Sequence, residues 1–85
     1  MSTYDVEHPP KGAKLDLYVS YDCPYSLRAI AYYDHEAIPY EVHDAQIDLA
    51  ERKAMFAFAN NDPTVPAIVI NGEYVQSGWG KPPHG

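Results

Sequence analysis

A chain of 85 residues has room for one compact domain, because a stretch this short buries only about 60 to 65% of its unfolded surface and cannot support two cores. Twelve acidic against six basic residues leave a net charge of -6, which repels phosphate backbones and anionic bilayers, and Lys11, Lys14, Arg28, Arg52, Lys53 and Lys81 are too scattered to form a basic patch. The apolar fraction of 46% suits a folded chain, and no apolar run approaches the roughly 20 residues of a membrane-spanning helix. Nucleic acid and membrane are therefore unexpected partners. The polar stretch from Met1 to Gly12 has no signal-peptide apolar region, so the cytoplasm is the expected compartment.

Residues 1–13, closing on His8-Pro9-Pro10-Lys11-Gly12, have no periodic apolar pattern and read as a flexible N-terminal arm ahead of a domain over residues 14–80. Leu15 to Ser20 alternates as a strand does. Asp22-Cys23-Pro24 interrupts it, and Pro24 suits the first helical position, where its missing N–H removes a donor that had no partner. A helix follows with Leu27, Ile30, Ala31 and Ile38 as its apolar stripe, closed by Pro39. Tyr40-Glu41-Val42-His43 is a short second strand, and Asp44 offers an oxygen to cap a second helix.

That helix is expected over Ala45 to Ala59, with Ile47, Ala50, Ala54, Ala57 and Phe58 on one face, ending at the breaker cluster Asn60-Asn61-Asp62-Pro63. Ala67-Ile68-Val69-Ile70, the turn pair Asn71-Gly72, and Glu73-Tyr74-Val75 form a hairpin, because Asn-Gly tolerates the positive φ angles of a two-residue turn. Gln76 to Gly85 has three glycines and two prolines and cannot carry a long helix, so residues 81–85 read as a C-terminal tail. The order β-α-β-α-β-β places the early strands parallel and the last pair antiparallel, with helices covering the sheet: an α/β fold.

A single cysteine forms no internal disulfide, and Cys23 is either buried filler or a working thiol. Its place at a strand-to-helix turn, before the apolar stripe, favours the second reading. There the sulfur meets the positive end of the helix macrodipole and the unpaired amides of the first turn, which favour a thiolate. Ser26 is close enough along the helix to direct its hydroxyl at the sulfur, Arg28 adds positive charge, and Asp22 is expected to face solvent. His8, His35, His43 and His84 have no ligand-like spacing with one another or with Cys23, so no metal site is expected.

Cys23-Pro24-Tyr25-Ser26 at the helix start, Arg28-Ala29 after it, and Thr64-Val65-Pro66 ahead of the hairpin together resemble a glutaredoxin, a member of the thioredoxin superfamily. The resemblance spans about Leu15 to Val75. It implies a thioredoxin-like fold, a four-stranded mixed sheet flanked by helices, here without the family's final helix. Ser26 stands where the family often has a second cysteine, which makes this a monothiol variant.

The resemblance also implies a cis bond before Pro66, with the backbone of Val65 set beside the sulfur so that an extended ligand can pair with it. Cys23 and Ser26 are then the catalytic pair, and Tyr25, Arg28, Thr64, Val65, Pro66, Ser77 and Gly78 the glutathione-binding set. Gln76-Ser77-Gly78-Trp79-Gly80 replaces the family's Gly-Gly and Asp pairs. In it Ser77 and Gly78 are expected to offer amides to a carboxylate, while Trp79 either walls the pocket or packs over the sheet in place of the absent helix.

The implied activity is glutathione-dependent thiol-disulfide exchange by a monomer, with glutathionylated proteins or low-molecular-weight disulfides as partners. Two alternatives keep the same fold: a dimer holding a glutathione-ligated [2Fe-2S] cluster, or a non-catalytic docking domain.

Overall fold

The computed structural model describes residues 4–85. Its elements are β1 (Leu15–Val19), α1 (Pro24–His35), β2 (Glu41–Asp44), α2 (Leu49–Ala59), β3 (Ala67–Ile70) and β4 (Glu73–Ser77), in the order read from the sequence. The strands form one sheet, β2-β1-β3-β4, in which β1 and β2 run parallel and the other two pairs antiparallel. No helix follows β4 among the described residues.

Side chains of a strand alternate between faces, and in β1 that alternation divides the core in two. Leu15, Leu17 and Val19 pack with Ala29 and Tyr33 of α1 and with Ile68 and Ile70 of β3. On the opposite face Tyr18 packs with Ala45, Met55 of α2, and Ala67 and Val69 of β3. Because both faces are covered, every β1 residue is buried, Asp16 included. The polar letters in the strand therefore mark the α2 face, not a wet one. At the hairpin, Asn71 (φ 53°) and Gly72 (φ 78°) adopt the positive φ pair expected of them.

Both helices bury a different face from the one their aliphatic spacing predicts. In α1 the buried positions are Ser26, Ala29 and Tyr33, whereas Leu27 is 47% exposed. The cause is Tyr33, whose ring fills the core while its hydroxyl donates to Val6 O at 2.6 Å, so a residue with a polar tip takes the central place. In α2 the buried residues are Met55 and Ala59, and Ile47 stands 79% exposed ahead of the helix. The helix starts later than expected because Asp48, not Asp44, accepts from the amides of Ala50 and Glu51. Asp44 instead accepts from Gln46 and Ile47 and forms a separate turn. At the far end Asn60 takes the left-handed conformation (φ 54°) and stops α2 where the breaker cluster predicts.

The segment expected to be an arm, whose residues 1–3 lie outside the described ones, is docked from Tyr4 onward. Tyr4, Val6 and Ala13 pack against the α1-side core. Tyr32 and Tyr33 donate their hydroxyls to Glu7 O and Val6 O, both at 2.6 Å. The C-terminal segment lies beside it, with Lys81 Nζ 2.7 Å from Glu7 Oε1. Trp79 takes the packing option, its ring 5.4 Å from that of Tyr32 and 5.5 Å from that of Tyr33.

Candidate active site

Antiparallel pairing of β1 with β3 sets Tyr18 opposite Ala67, so the chain leaving β1 and the chain entering β3 meet at one end of the sheet. Cys23 lies on the first and Val65 on the second. The turn out of β1 closes with Cys23 N donating to Ser20 O at 3.0 Å. Cys23 is then the N-cap of α1, extended at φ -97° and ψ 120°, with Pro24 following in the first turn and no acidic residue there. Its sulfur is half-buried and lies 3.7 Å from Val65 O, the distance of a weak S–H···O contact. The Val65–Pro66 bond is cis, as the resemblance implies.

Tyr25 is half-buried beside this pair, with the Arg28 guanidinium carbon 5.1 Å from its ring centre, a cation–π contact that sets positive charge near the site. Asp22 is exposed, as expected, and accepts from Gln46 Nε2 at 2.8 Å. On the other strand-end, Asp62 Oδ1 accepts from Thr64 N at 2.9 Å. Hydrogen bonds from the Thr64 side chain and amide hold the Asp62 carboxyl below the usual carboxylate range.

Three of the sequence-predicted residues have hydrogen-bond partners within the fold. Ser26 is fully buried, and its hydroxyl oxygen accepts from Ser20 N at 3.3 Å, bracing the turn from beneath. Ser77 Oγ pairs with the Tyr74 hydroxyl at 2.7 Å. Gly78 N donates to Pro66 O at 2.7 Å, so that amide is not free for a ligand carboxylate. Gly78 does have a geometric reason to be glycine: at φ 91° a Cβ would sit 2.9 Å from His84 N.

Sequence reasoning missed the C-terminal segment as part of this region. Trp79 and His84 exchange backbone hydrogen bonds at 2.7 and 2.9 Å, which folds the segment back. The His84 ring then lies 5.8 Å from that of Tyr25, and the Gly85 backbone packs so tightly on Thr64 and Val65 that an added Cβ would meet Val65 O at 2.4 Å. A run of Pro, Gly and His carries no periodicity, and only a contact formed in three dimensions could reveal this. Asp62 was hidden differently, inside a cluster legible only as a helix stop. A cleft of about 480 Å³ between the N-terminal segment and Trp79-Gly80-Lys81 contains none of the predicted site residues. A smaller one of about 280 Å³ reaches Val65 from the side of Ser20, Gln46 and Phe56.

Three comparisons bear on this arrangement. A probable glutaredoxin from Synechocystis sp. is 29% identical over 64 residues, covering 75% of this chain and 73% of the relative. The holo form of glutaredoxin C1 from Populus tremula x tremuloides superposes with a TM-score of 0.64 at 18% identity, over 85% of this chain and 73% of that one, which shows the shared fold. The glutaredoxin family model matches residues 15–75, from the start of β1 to within β4, and with Cys23, Val65 and Pro66 assembled inside that span the chain belongs to the glutaredoxin family.

Proposed function

We propose that this member of a family of thiol-disulfide oxidoreductases is a glutathione-dependent enzyme working through one cysteine. The observation that carries the reading is the half-buried Cys23 sulfur at the N-cap of α1, 3.7 Å from Val65 O. The Cys23 thiolate attacks the glutathione sulfur of a glutathionylated substrate, forming a Cys23–glutathione disulfide and releasing the substrate thiolate, which takes up a proton. A second glutathione thiolate attacks the glutathione sulfur of that disulfide. It leaves as oxidised glutathione and restores the Cys23 thiolate. Atoms and electrons balance with one enzyme sulfur throughout, so no second cysteine is required.

Val65 supplies the pairing edge for the peptide part of glutathione, as an added strand would find it, and Tyr25 and Thr64 flank that edge. Arg28 is the cation of the set. In a chain of net charge -6 it offsets local repulsion of the anionic tripeptide. Ser26 braces the turn that presents Cys23, while Pro66, Ser77 and Gly78 shape the wall behind Val65. Turnover of a glutathionylated substrate, followed through coupled glutathione reductase, tests the reading. Wild type should turn over and Cys23→Ser should not; equal rates for both, or none for wild type, would end it.

A further inference from the structure

On the α2 face of the sheet, the parallel register of β1 with β2 sets Asp16 opposite Glu41 and Tyr18 opposite His43. His43 Nε2 lies 2.9 Å from Asp16 Oδ1 and 3.2 Å from Glu41 Oε2. The other ring nitrogen, Nδ1, is held by Glu51 of α2. The ring is stacked on Tyr18 at 4.5 Å and 16°, so its orientation is set by packing as well as by charge. Asp16 is only 8% exposed.

We propose that His43 Nε2, Asp16 and Glu41 are the ligands of a zinc-binding site, with Glu51 as the residue that orients the histidine. The charge balance calls for a cation: three carboxylates converge on one imidazole, and a divalent ion between Nε2 and two of them offsets more repulsion than a proton does. The distances fit. Tetrahedral zinc with bonds of about 2.0 to 2.2 Å spaces its donors by about 3.3 to 3.5 Å, so the two separations from Nε2 need to open by only a few tenths of an ångström, and all three donor atoms lie within 4.8 Å of one another.

Asp16 and His43 are held by the sheet, and the Glu41 side chain, 63% exposed, is free to make that adjustment. Glu51 completes the pattern. A metal-bound histidine donates its other N–H to a carboxylate, which turns the lone pair of the first nitrogen toward the metal, here toward Asp16 and Glu41. One imidazole and two carboxylates without a thiolate suit zinc better than copper(I), and the exposed side at Glu41 leaves water as the fourth ligand. The site ties β1 to β2 and is separate from the redox chemistry.

The test uses the full chain with Cys23→Ser, so that no thiolate competes, stripped with chelator and titrated with zinc chloride by calorimetry. One zinc per chain, with a rise in thermal midpoint on loading, is the expected result. Glu51→Gln should weaken binding by about 10- to 100-fold, the usual loss when the partner of a metal-bound histidine is removed. Glu41→Gln lies on the surface, where folding is not at stake, and should lower affinity at least tenfold; His43→Gln should abolish the site. Absence of saturable binding at millimolar zinc overturns the proposal. So does undiminished binding in both Glu41→Gln and His43→Gln, which would place the ion on His8, His35 or His84.

Discussion

Tyr33→Phe is the most direct test of how the N-terminal segment is fastened to the core. The substitution keeps the ring contacts with Tyr32, Tyr40 and Trp79 and removes only the hydroxyl that donates to Val6 O at 2.6 Å. A neutral hydrogen bond contributes about 0.5 to 1.5 kcal/mol net, and stranding a carbonyl where water has little access raises the cost, so about 1 to 2 kcal/mol is expected. Tyr32→Phe is the control. Its hydroxyl makes a bond of the same length to Glu7 O but on a side chain that water reaches, and its loss should cost about 0.5 kcal/mol or less.

Urea unfolding followed by Trp79 fluorescence reads both, because the indole rests on both tyrosines. With a slope of about 1 kcal/mol per molar urea, Tyr33→Phe should shift the midpoint by about 1 to 2 M, and its thermal midpoint should fall by about 4 to 16 °C. Equal effects of the two substitutions, or a Tyr33→Phe effect under about 0.3 kcal/mol, would refute the buried anchor and with it the docking of residues 4–13.

Ser26→Ala should cost about 1 to 2 kcal/mol of stability by leaving Ser20 N unpaired, with turnover unchanged within about threefold; a large drop in kcat at unchanged stability would instead assign the hydroxyl to the sulfur. Deleting Lys81 to Gly85 uncovers Val65 and should lower KM for a glutathionylated substrate by about two- to tenfold, the effect of a net closing energy of about 0.4 to 1.4 kcal/mol; an unchanged or higher KM would show that the segment does not compete. Burial pushes the Tyr33 hydroxyl up, and burial with a hydrogen bond to Asp34 pushes Tyr40 up to about 12. Both folded-state values exceed the unfolded one near 10, so this stabilisation is complete below about pH 10 and lost as pH rises through 12. Tyrosinate absorbance against pH should show at least two late-titrating groups released together with unfolding; eight ordinary titrations would contradict the burial.

How much of the active site was legible follows from how far apart its parts lie. Pro24 and the strand ending before Cys23 are local signals, and they placed the sulfur at a helix start without any tertiary information. The resemblance supplied Thr64-Val65-Pro66, and pairing of β1 with β3 brought it to the sulfur. The partners of Ser26, Ser77 and Gly78 were not legible in the sequence for one reason. Which partner a hydroxyl or amide meets depends on its neighbours across the fold, and those were Ser20, Tyr74 and Pro66.

Period-two alternation, the proline before Tyr25, the Asn-Gly turn and the asparagine stop are written in adjacent residues, and so the sequence alone determined the element order and the place of the cysteine at a helix start. Only the tertiary structure decided which helix faces are buried, where the chain ends dock, and that Asp16, Glu41 and His43 share one patch. Burial of a tyrosine depends on whether a distant carbonyl can accept its hydroxyl, and convergence of three charged groups depends on strand register. Neither is a property of any stretch of neighbouring residues.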